Sequence, residues 1–504
     1  MTEQIREGNL TEQQKVRELY GLIGDRGLYV NTNFDVFPDS PEELSLAGGT
    51  GYKIPLIQEN SKAYASPLLF ATLTSLLNHG TMLVTGAPGI GKTTGAEFAG
   101  HFFTGTPLEE ILASEIQGHP QLTEEKMVAS YDIGKLVNSG EKVVVPNRFL
   151  QCPVKILDEG NRTPPDVLSI MMRLADSGKA VYGGKLLEAK KGPLFVTANY
   201  ADEGTFQFTP PFLDRFDVAV MVTSPPSWDL RKIRQRGDEK LNGGLEEAVK
   251  IPEELRLDFD KIRKEIKDMP QQMEYDVPQM STFADFVYSS LRFTEAASEN
   301  IARATKGNAW QINQDNAQPG HFHDSPFTYT LNELSVRTAQ AMPRYARAFA
   351  WINGDSTVTP THLKTILPFL LWHKVQPTQK AITEDPFYAN DRIAFIQGLA
   401  TKIETDYAEL TGNKPLLNNY AAALQVIRTG KIGGKEVKPG QIRTIVKNAT
   451  DKIGAEDKSY AINLAHHIAS EYNNSVADYS AGHKPREYSD GLHNQSNPSP
   501  YHEK

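Results

Sequence analysis

The sequence predicts an α/β fold with a parallel sheet, followed by helical regions. Three observations carry this. A short apolar run, Met82-Leu83-Val84, leads into a glycine-rich loop that opens a helix. Two further apolar runs end in polar residues: Val154-Lys155-Ile156-Leu157 before Asp158-Glu159, and Pro193 to Ala198 before Asn199. Helix-like segments lie between these runs, an alternation that argues for parallel strands with ligands at their carboxyl ends.

At 504 residues, three or four domains are expected. Composition is that of a globular protein, 39% hydrophobic and 23% charged. The net charge of −9 disfavours a general binder of phosphate backbones. A single cysteine, Cys152, excludes an intrachain disulfide and any Cys-rich zinc module; it fits a reducing compartment and simple packing. No apolar run reaches the ~20 residues that span a bilayer, and the opening MTEQIREG lacks the apolar core of a signal peptide, so a cytoplasmic location is expected.

Thr11 and Gln14 stand at capping-box spacing, and Val16, Leu19, Tyr20 and Ile23 recur at helical intervals, which predicts one helix. Residues 25–66 are turn-rich and read as a wrapping loop. Pro67 to Asn78 reads as a buried helix with Pro at its start and Gly80 past its end. Then comes Gly86-Ala87-Pro88-Gly89-Ile90-Gly91-Lys92-Thr93-Thr94, the GxxxxGK[ST] loop in its strand–loop–helix context. Its glycines let backbone N–H groups turn toward phosphate oxygens, and the helix N-terminus adds its positive end. Lys92 would reach the β- and γ-phosphates, and Thr93 would take one position on Mg²⁺.

Past that helix, Tyr131 to Val137 and Lys142 to Val145 flank Asn138-Ser139-Gly140-Glu141 and read as a hairpin. Asp158 is placed to bind Mg²⁺, and Glu159 to polarise an attacking water. Pro165 to Ala175 reads as a helix; Ala180 to Tyr182 and Lys185 to Leu187 bracket Gly183-Gly184, a second hairpin. Asn199 is placed to hold the same water or a γ-phosphate oxygen. Past Ser224 the strand signals fade, and Leu255–Ile266, Ser281–Ala296, Leu331–Trp351 and Thr361–His373 carry helical periodicity. Residues 308–325 read as a polar insertion. The pair His321/His323 with Asp324, and the adjacent His466 and His467, do not make a convincing metal site by inventory.

The run Leu157-Asp158-Glu159-Gly160-Asn161-Arg162-Thr163-Pro164-Pro165 resembles the Walker B segment and following turn of MoxR-type AAA+ ATPases. So do Phe195 to Asn199, Glu203-Gly204-Thr205, Leu213-Asp214-Arg215-Phe216, and Ser335-Val336-Arg337 before a long helix and Val358-Thr359-Pro360. The resemblance covers roughly residues 65–375, in family order. Gly160 departs from it, since the family usually has Ile there.

The resemblance implies a P-loop NTPase (AAA+) core with two inserted β-hairpins, an all-α lid and a helical C-terminal extension. The division expected is 1–64 N-terminal helix and loop, 65–225 core, 226–375 lid, 376–475 extension and 476–504 disordered tail. Asn199 would be sensor 1, Arg215 an arginine finger serving a neighbouring subunit, and Arg337 sensor 2. The chain would be a Mg²⁺-dependent ATPase in a homo-oligomeric ring, a hexamer. It would remodel a client protein, such as one with a von Willebrand factor A domain. In such a ring both hairpins would face the channel, with Tyr182 and Lys185 at the second tip toward substrate. Two alternatives stay open: a nucleic-acid translocase or helicase-like motor, and a nucleotide-gated scaffold with little turnover. No residue specifies ATP over GTP.

Overall fold

The computed structural model describes residues 10–26, 28, 43–45, 53–55, 67–77, 79–199, 205–222, 233–234, 248–274, 277–291, 326–412, 414–432, 435–454, 468 and 472. The 308–325 insertion, Glu203-Gly204, His321, His323, Asp324, His466, His467 and the 476–504 tail lie outside them, as does most of the stretch 25–66.

Helix α1 (Glu12–Asp25) starts at the expected capping box, with the Thr11 and Gln14 side chains each bonded to the other's backbone. Its stripe of Val16, Leu19, Tyr20 and Ile23 is buried. Within the expected wrapping loop, β1 (Glu43–Ser45) and β2 (Lys53–Pro55) pair antiparallel. Helix α2 (Pro67–Leu76) is buried along its whole length, which explains why its sequence shows no polar face.

The central sheet contains β3 (Thr81–Gly86), β4 (Ile116–Gln117), β7 (Lys155–Asp158), β10 (Leu194–Ala198) and β11 (Val218–Val222). Its order is β11-β3-β10-β7-β4 with every neighbour parallel. A parallel sheet is covered on both faces, hence the unbroken apolar runs of β3 and β10. Helix α3 (Lys92–Thr104) packs with α2, and α4 (Leu108–Ser114) leads into β4. Two buried clusters cover the sheet. One joins α1–α3 to the helices beyond residue 250; the other lies beneath the two insertions.

The first insertion corrects the expected hairpin. After the turn of helix α5 (Glu124–Met127), strand β5 (Ala129–Tyr131) pairs with β6 (Val144–Pro146), but Ile133–Ser139 between them is helix α6. Asp132 caps that helix by accepting the Lys135 N–H, and Gly140 closes it. Local capping wins over the β-branched residues because Ile133 and Val137 are 73% and 76% exposed, so no sheet packing pulls them into a strand. A short helix α7 (Arg148–Gln151) precedes β7. The second insertion matches expectation: after helix α8 (Pro165–Ser177), β8 (Lys179–Tyr182) and β9 (Lys185–Glu188) form a two-residue hairpin. Gly183 and Gly184 both take positive φ (54° and 76°), as that turn requires.

Past the short helix α9 (Pro210–Leu213) and β11, the described residues are chiefly helical. They include α10 (Phe259–Lys267), α11 (Gln279–Ser290), α12 (Val336–Asn353) and α13 (Pro360–Leu371). Further on come α14 (Gln379–Glu384), α15 (Arg392–Gly412), α16 (Lys414–Thr429) and α17 (Pro439–Gly454). The helical part is fastened to the sheet edge: Trp372 Nε1 donates to the Ala219 carbonyl of β11 at 2.6 Å and His373 Nε2 to Phe216 O at 3.0 Å. Among the described residues no helix is long and apolar enough to cross a membrane.

Candidate functional site

The carboxyl ends of β3, β7 and β10 bring together most of the residues singled out from sequence. The loop from Gly86 to Gly91 leaves β3, with Gly89 and Gly91 at φ 74° and 85°, conformations that L side chains resist. A Cβ on Gly86 would meet the Val222 carbonyl oxygen at 2.4 Å, so the loop lies flush against β11. Helix α3 begins at Lys92, so Thr93 and Thr94 stand in its first turn with their N–H groups unclaimed by the helix ladder. Ala87, Pro88 and Ile90 complete the cradle.

Lys92 Nζ donates to Gly86 O (3.1 Å), Ala87 O (2.7 Å) and Asn199 Oδ1 (2.7 Å). Burial pulls its pKa below the usual lysine value, while Asp158 and Glu159 act to hold the charge. Asn199 Nδ2 in turn donates to Glu159 Oε1 at 2.8 Å. The amide therefore ties the lysine of one strand end to the carboxylate of another. Thr93 Oγ1 donates to Asp158 Oδ1 at 2.6 Å, and Thr197 Oγ1 reaches the same oxygen at 2.5 Å. A hydroxyl and a carboxylate oxygen at the end of a phosphate loop form the hard-oxygen pair that suits Mg²⁺, which takes its other ligands from phosphate and water.

Glu159 has φ 50°, ψ 42°, and among the described residues it alone is a non-glycine with positive φ. The conformation is held by Thr197, whose Oγ1 accepts the Glu159 N–H at 3.0 Å. The carboxylate also faces Arg162 Nε at 3.4 Å. Backbone strain of this kind persists where surrounding contacts over-determine it, and it marks functional positions. Asn161 pins Asn199 from both sides, donating Nδ2 to its carbonyl (3.0 Å) and accepting its N–H (3.3 Å). Gly160, the departure from the MoxR pattern, has a packing cause: a Cβ there would stand 2.5 Å from Val196 Cγ1.

Behind Asp158, Glu97 of α3 and Glu115, which follows α4, form a half-buried pair that sequence reading passed over. The pKa of Glu115 is pushed up to about 8 by burial, with the charges of Glu97 and Asp158 adding to it; that of Glu97 is raised in the same direction, again mainly by burial.

Arg215 and Arg337 are not in this cluster. Arg215 follows α9, and its carbonyl accepts from Thr81 Oγ1 at 2.9 Å, at the opposite end of β3 from the phosphate loop. Five residue steps of strand separate Thr81 from Gly86, about 17 Å. Arg215 Nε donates to Asp176 Oδ2 at 3.0 Å and its Nη1 to Pro211 O. Arg337, in the first turn of α12, pairs through Nε with Asp176 Oδ1 at 3.0 Å and donates Nη1 to Asp214 Oδ2 at 3.3 Å. Both arginines, with Arg344, Lys190 and Lys191, line a cavity of about 420 Å³ at this end of the strands. The expected sensor-2 position of Arg337 is thus remote from its own chain's phosphate loop, because the lid docks on β11 at the sheet edge instead of over the loop.

Nearby, Asp217 accepts the Thr81 N–H (3.1 Å) and Arg344 Nη2 (2.7 Å), joining sheet to lid. Lys374 beside it is buried, which lowers its pKa to about 8 against the opposing effect of Asp217 and Asp214. Tyr182 also departs from expectation: it is buried and donates its hydroxyl to Glu125 at 2.7 Å, so it does not stand free at the hairpin tip.

Residues 81–216 match the family described as AAA domain (dynein-related subfamily), and residues 331–391 match the AAA lid domain. The chain carries an AAA+ ATPase module. The ATPase is similar in fold to a crystal structure from Cytophaga hutchinsonii titled as a "putative ATPase". The two share 17% identity over 78% of this chain and 96% of that one, with a TM-score of 0.50. No curated protein matches the sequence. Phosphate loop, strand-end carboxylates and strand-end amide sit together as ATP hydrolysis needs, and the two expected cations sit elsewhere.

Proposed function

We propose that this ATP hydrolase works as a Mg²⁺-dependent ring of the MoxR type, a cytoplasmic hexamer that remodels a client protein. The supporting observation is the separation of Arg215 and Arg337 from the Lys92–Asp158–Glu159–Asn199 cluster of the same chain. Hydrolysis builds charge on the γ-phosphoryl oxygens, and a guanidinium is the group that meets it. Two guanidinium groups at the amino-terminal end of the strands serve a nucleotide only when a second protomer brings its own phosphate loop against that end. Hydrolysis then depends on assembly.

In this reading Lys92 exchanges its loop carbonyls for β- and γ-phosphate oxygens. Thr93 and Asp158 would hold Mg²⁺, which would supply positive charge to offset that of the phosphates. Glu159, fixed by Thr197 and Asn199, takes the proton of the attacking water. Arg215 and Arg337 of the neighbour close the site. The client class, including a von Willebrand factor A domain protein, comes from the resemblance of the motifs.

Subunit mixing tests the claim. Arg215→Ala and Lys92→Ala should each abolish turnover. An equal mixture places an intact loop against an intact finger at about a quarter of the junctions and recovers turnover in that proportion. A mixture no more active than its parts would remove the shared site. Sedimentation with and without ATP reads the ring size.

A further inference from the structure

We infer that Asp176 is a positioning residue for hydrolysis, holding Arg215 and Arg337 side by side as one paired cation for the neighbouring protomer's nucleotide. The inference rests on the reading that both arginines act across the junction.

Asp176 is the acid whose carboxylate meets both guanidinium groups. Its Oδ2 accepts from Arg215 Nε at 3.0 Å, and its Oδ1 pairs with Arg337 Nε at 3.0 Å. Asp214, the neighbour of Arg215 in sequence, pairs with Arg337. Arginine stays charged throughout the accessible pH range, so two guanidinium groups in one cavity repel and swing apart unless an anion sits between them. A carboxylate with one oxygen for each sets their separation and their planes. It engages each through Nε, the donor nearest the stem, and with the Pro211 contact it occupies two of the five N–H donors of Arg215.

The position of Asp176 supports a role beyond the helix that carries it. It lies in the last turn of α8, one residue before Ser177, where the negative end of the helix dipole disfavours a carboxylate. A helix optimised for itself would place a lysine there. Both arginines come from elsewhere in the chain, one from the turn after α9 and one from the first turn of the lid helix α12. The carboxylate thus joins core and lid at the point where both present cations. Its carboxylate is 27% exposed and Arg337 is 48% exposed, and ion pairs open to solvent contribute little to stability, so the Asn and Ser variants should stay folded, which their melting curves check.

The test uses the full chain with Asp176→Asn, Asp176→Ser and Asp176→Glu. For Asn and Ser, kcat should fall about tenfold or more, as a displaced charge-stabilising group does. KM and the affinity for a fluorescent ATP analogue should stay within about twofold, because the phosphate loop of the same subunit is intact. Asp176→Glu should keep most of kcat. Asp176→Asn subunits mixed with Lys92→Ala subunits should regain turnover, as Arg215→Ala subunits do. An unchanged or raised kcat in the Asn and Ser variants overturns the inference. So does a mixture that fails to recover while the Arg215→Ala and Lys92→Ala pair recovers, since the defect would then lie within the subunit's own site. If that control pair also fails, the shared junction itself is wrong, and the role of Asp176 falls with it.

Discussion

Asn199 offers the sharpest test of the cluster, because its two ends do different work and can be removed separately. Its Oδ1 accepts from Lys92 and its Nδ2 donates to Glu159 Oε1 at 2.8 Å. Asn199→Ala deletes both contacts. The one that bears on catalysis is the bond to a charged carboxylate, about 1.5–3 kcal/mol, which is roughly 10- to 150-fold in rate. Asn199→Asp keeps an acceptor for Lys92 but sets a carboxylate against Glu159. Two like charges 4 Å apart at an effective dielectric near 20 repel by about 4 kcal/mol. In the nucleotide-bound site the Lys92 ammonium is engaged by phosphate oxygens and does not offset that repulsion. The cost is about 4 kcal/mol, near a thousandfold. The order expected in steady-state phosphate release is therefore native, then Ala, then Asp. Binding of a fluorescent ATP analogue, measured separately, should change by no more than a few-fold in the Ala variant. An Asp variant as fast as the Ala variant would show that the amide is not holding Glu159 by donation.

Two further outcomes concern stability. The Glu115 carboxyl, pushed up to about 8, binds its proton more tightly in the fold than in the unfolded chain. Its contribution is therefore complete below about pH 4.5 and is lost as pH rises through about 8. Melting temperature should fall between about pH 4.5 and 8 and level off above, and Glu115→Gln should flatten the fall and be the more stable protein at pH 9; parallel melting curves would refute this. Asp217→Ala strips the buried Thr81 N–H of its acceptor and leaves Arg344 and Lys374 unbalanced, at an expected 3–5 kcal/mol in urea unfolding. Adding Lys374→Met should recover part of the loss, whereas a loss below about 1 kcal/mol would mean that the lid is not anchored there.

The nucleotide site was legible because its residues are fixed by local chain geometry. Gly86 to Thr94, Asp158, Glu159 and Asn199 each follow an apolar strand, and a parallel sheet gathers such ends by construction. The supports were not legible. Thr197 and Asn161 act on residues far away in sequence, and the pairing of Glu97 with Glu115 arises only once β4 is laid beside β7. At two residues, β4 is too short to show any alternation. Helix α6 reads as strand from sequence because Ile133 and Val137 weigh toward β, although Asp132 and Gly140 at its ends carry the opposite signal. The remoteness of Arg337 from its own phosphate loop depends on where the lid docks, which periodicity does not encode.

The two insertions share a side wall. The Tyr182 ring of the second lies 5.4 Å from that of Tyr131 in the first, and its hydroxyl binds Glu125 just ahead of β5. Gly183 leaves no room beside the Tyr131 hydroxyl for even a methyl group. A tug on either projection is consequently shared by the other. Helix α8, which runs from the turn after Asp158-Glu159 into β8, would carry that load to within a few residues of Glu159.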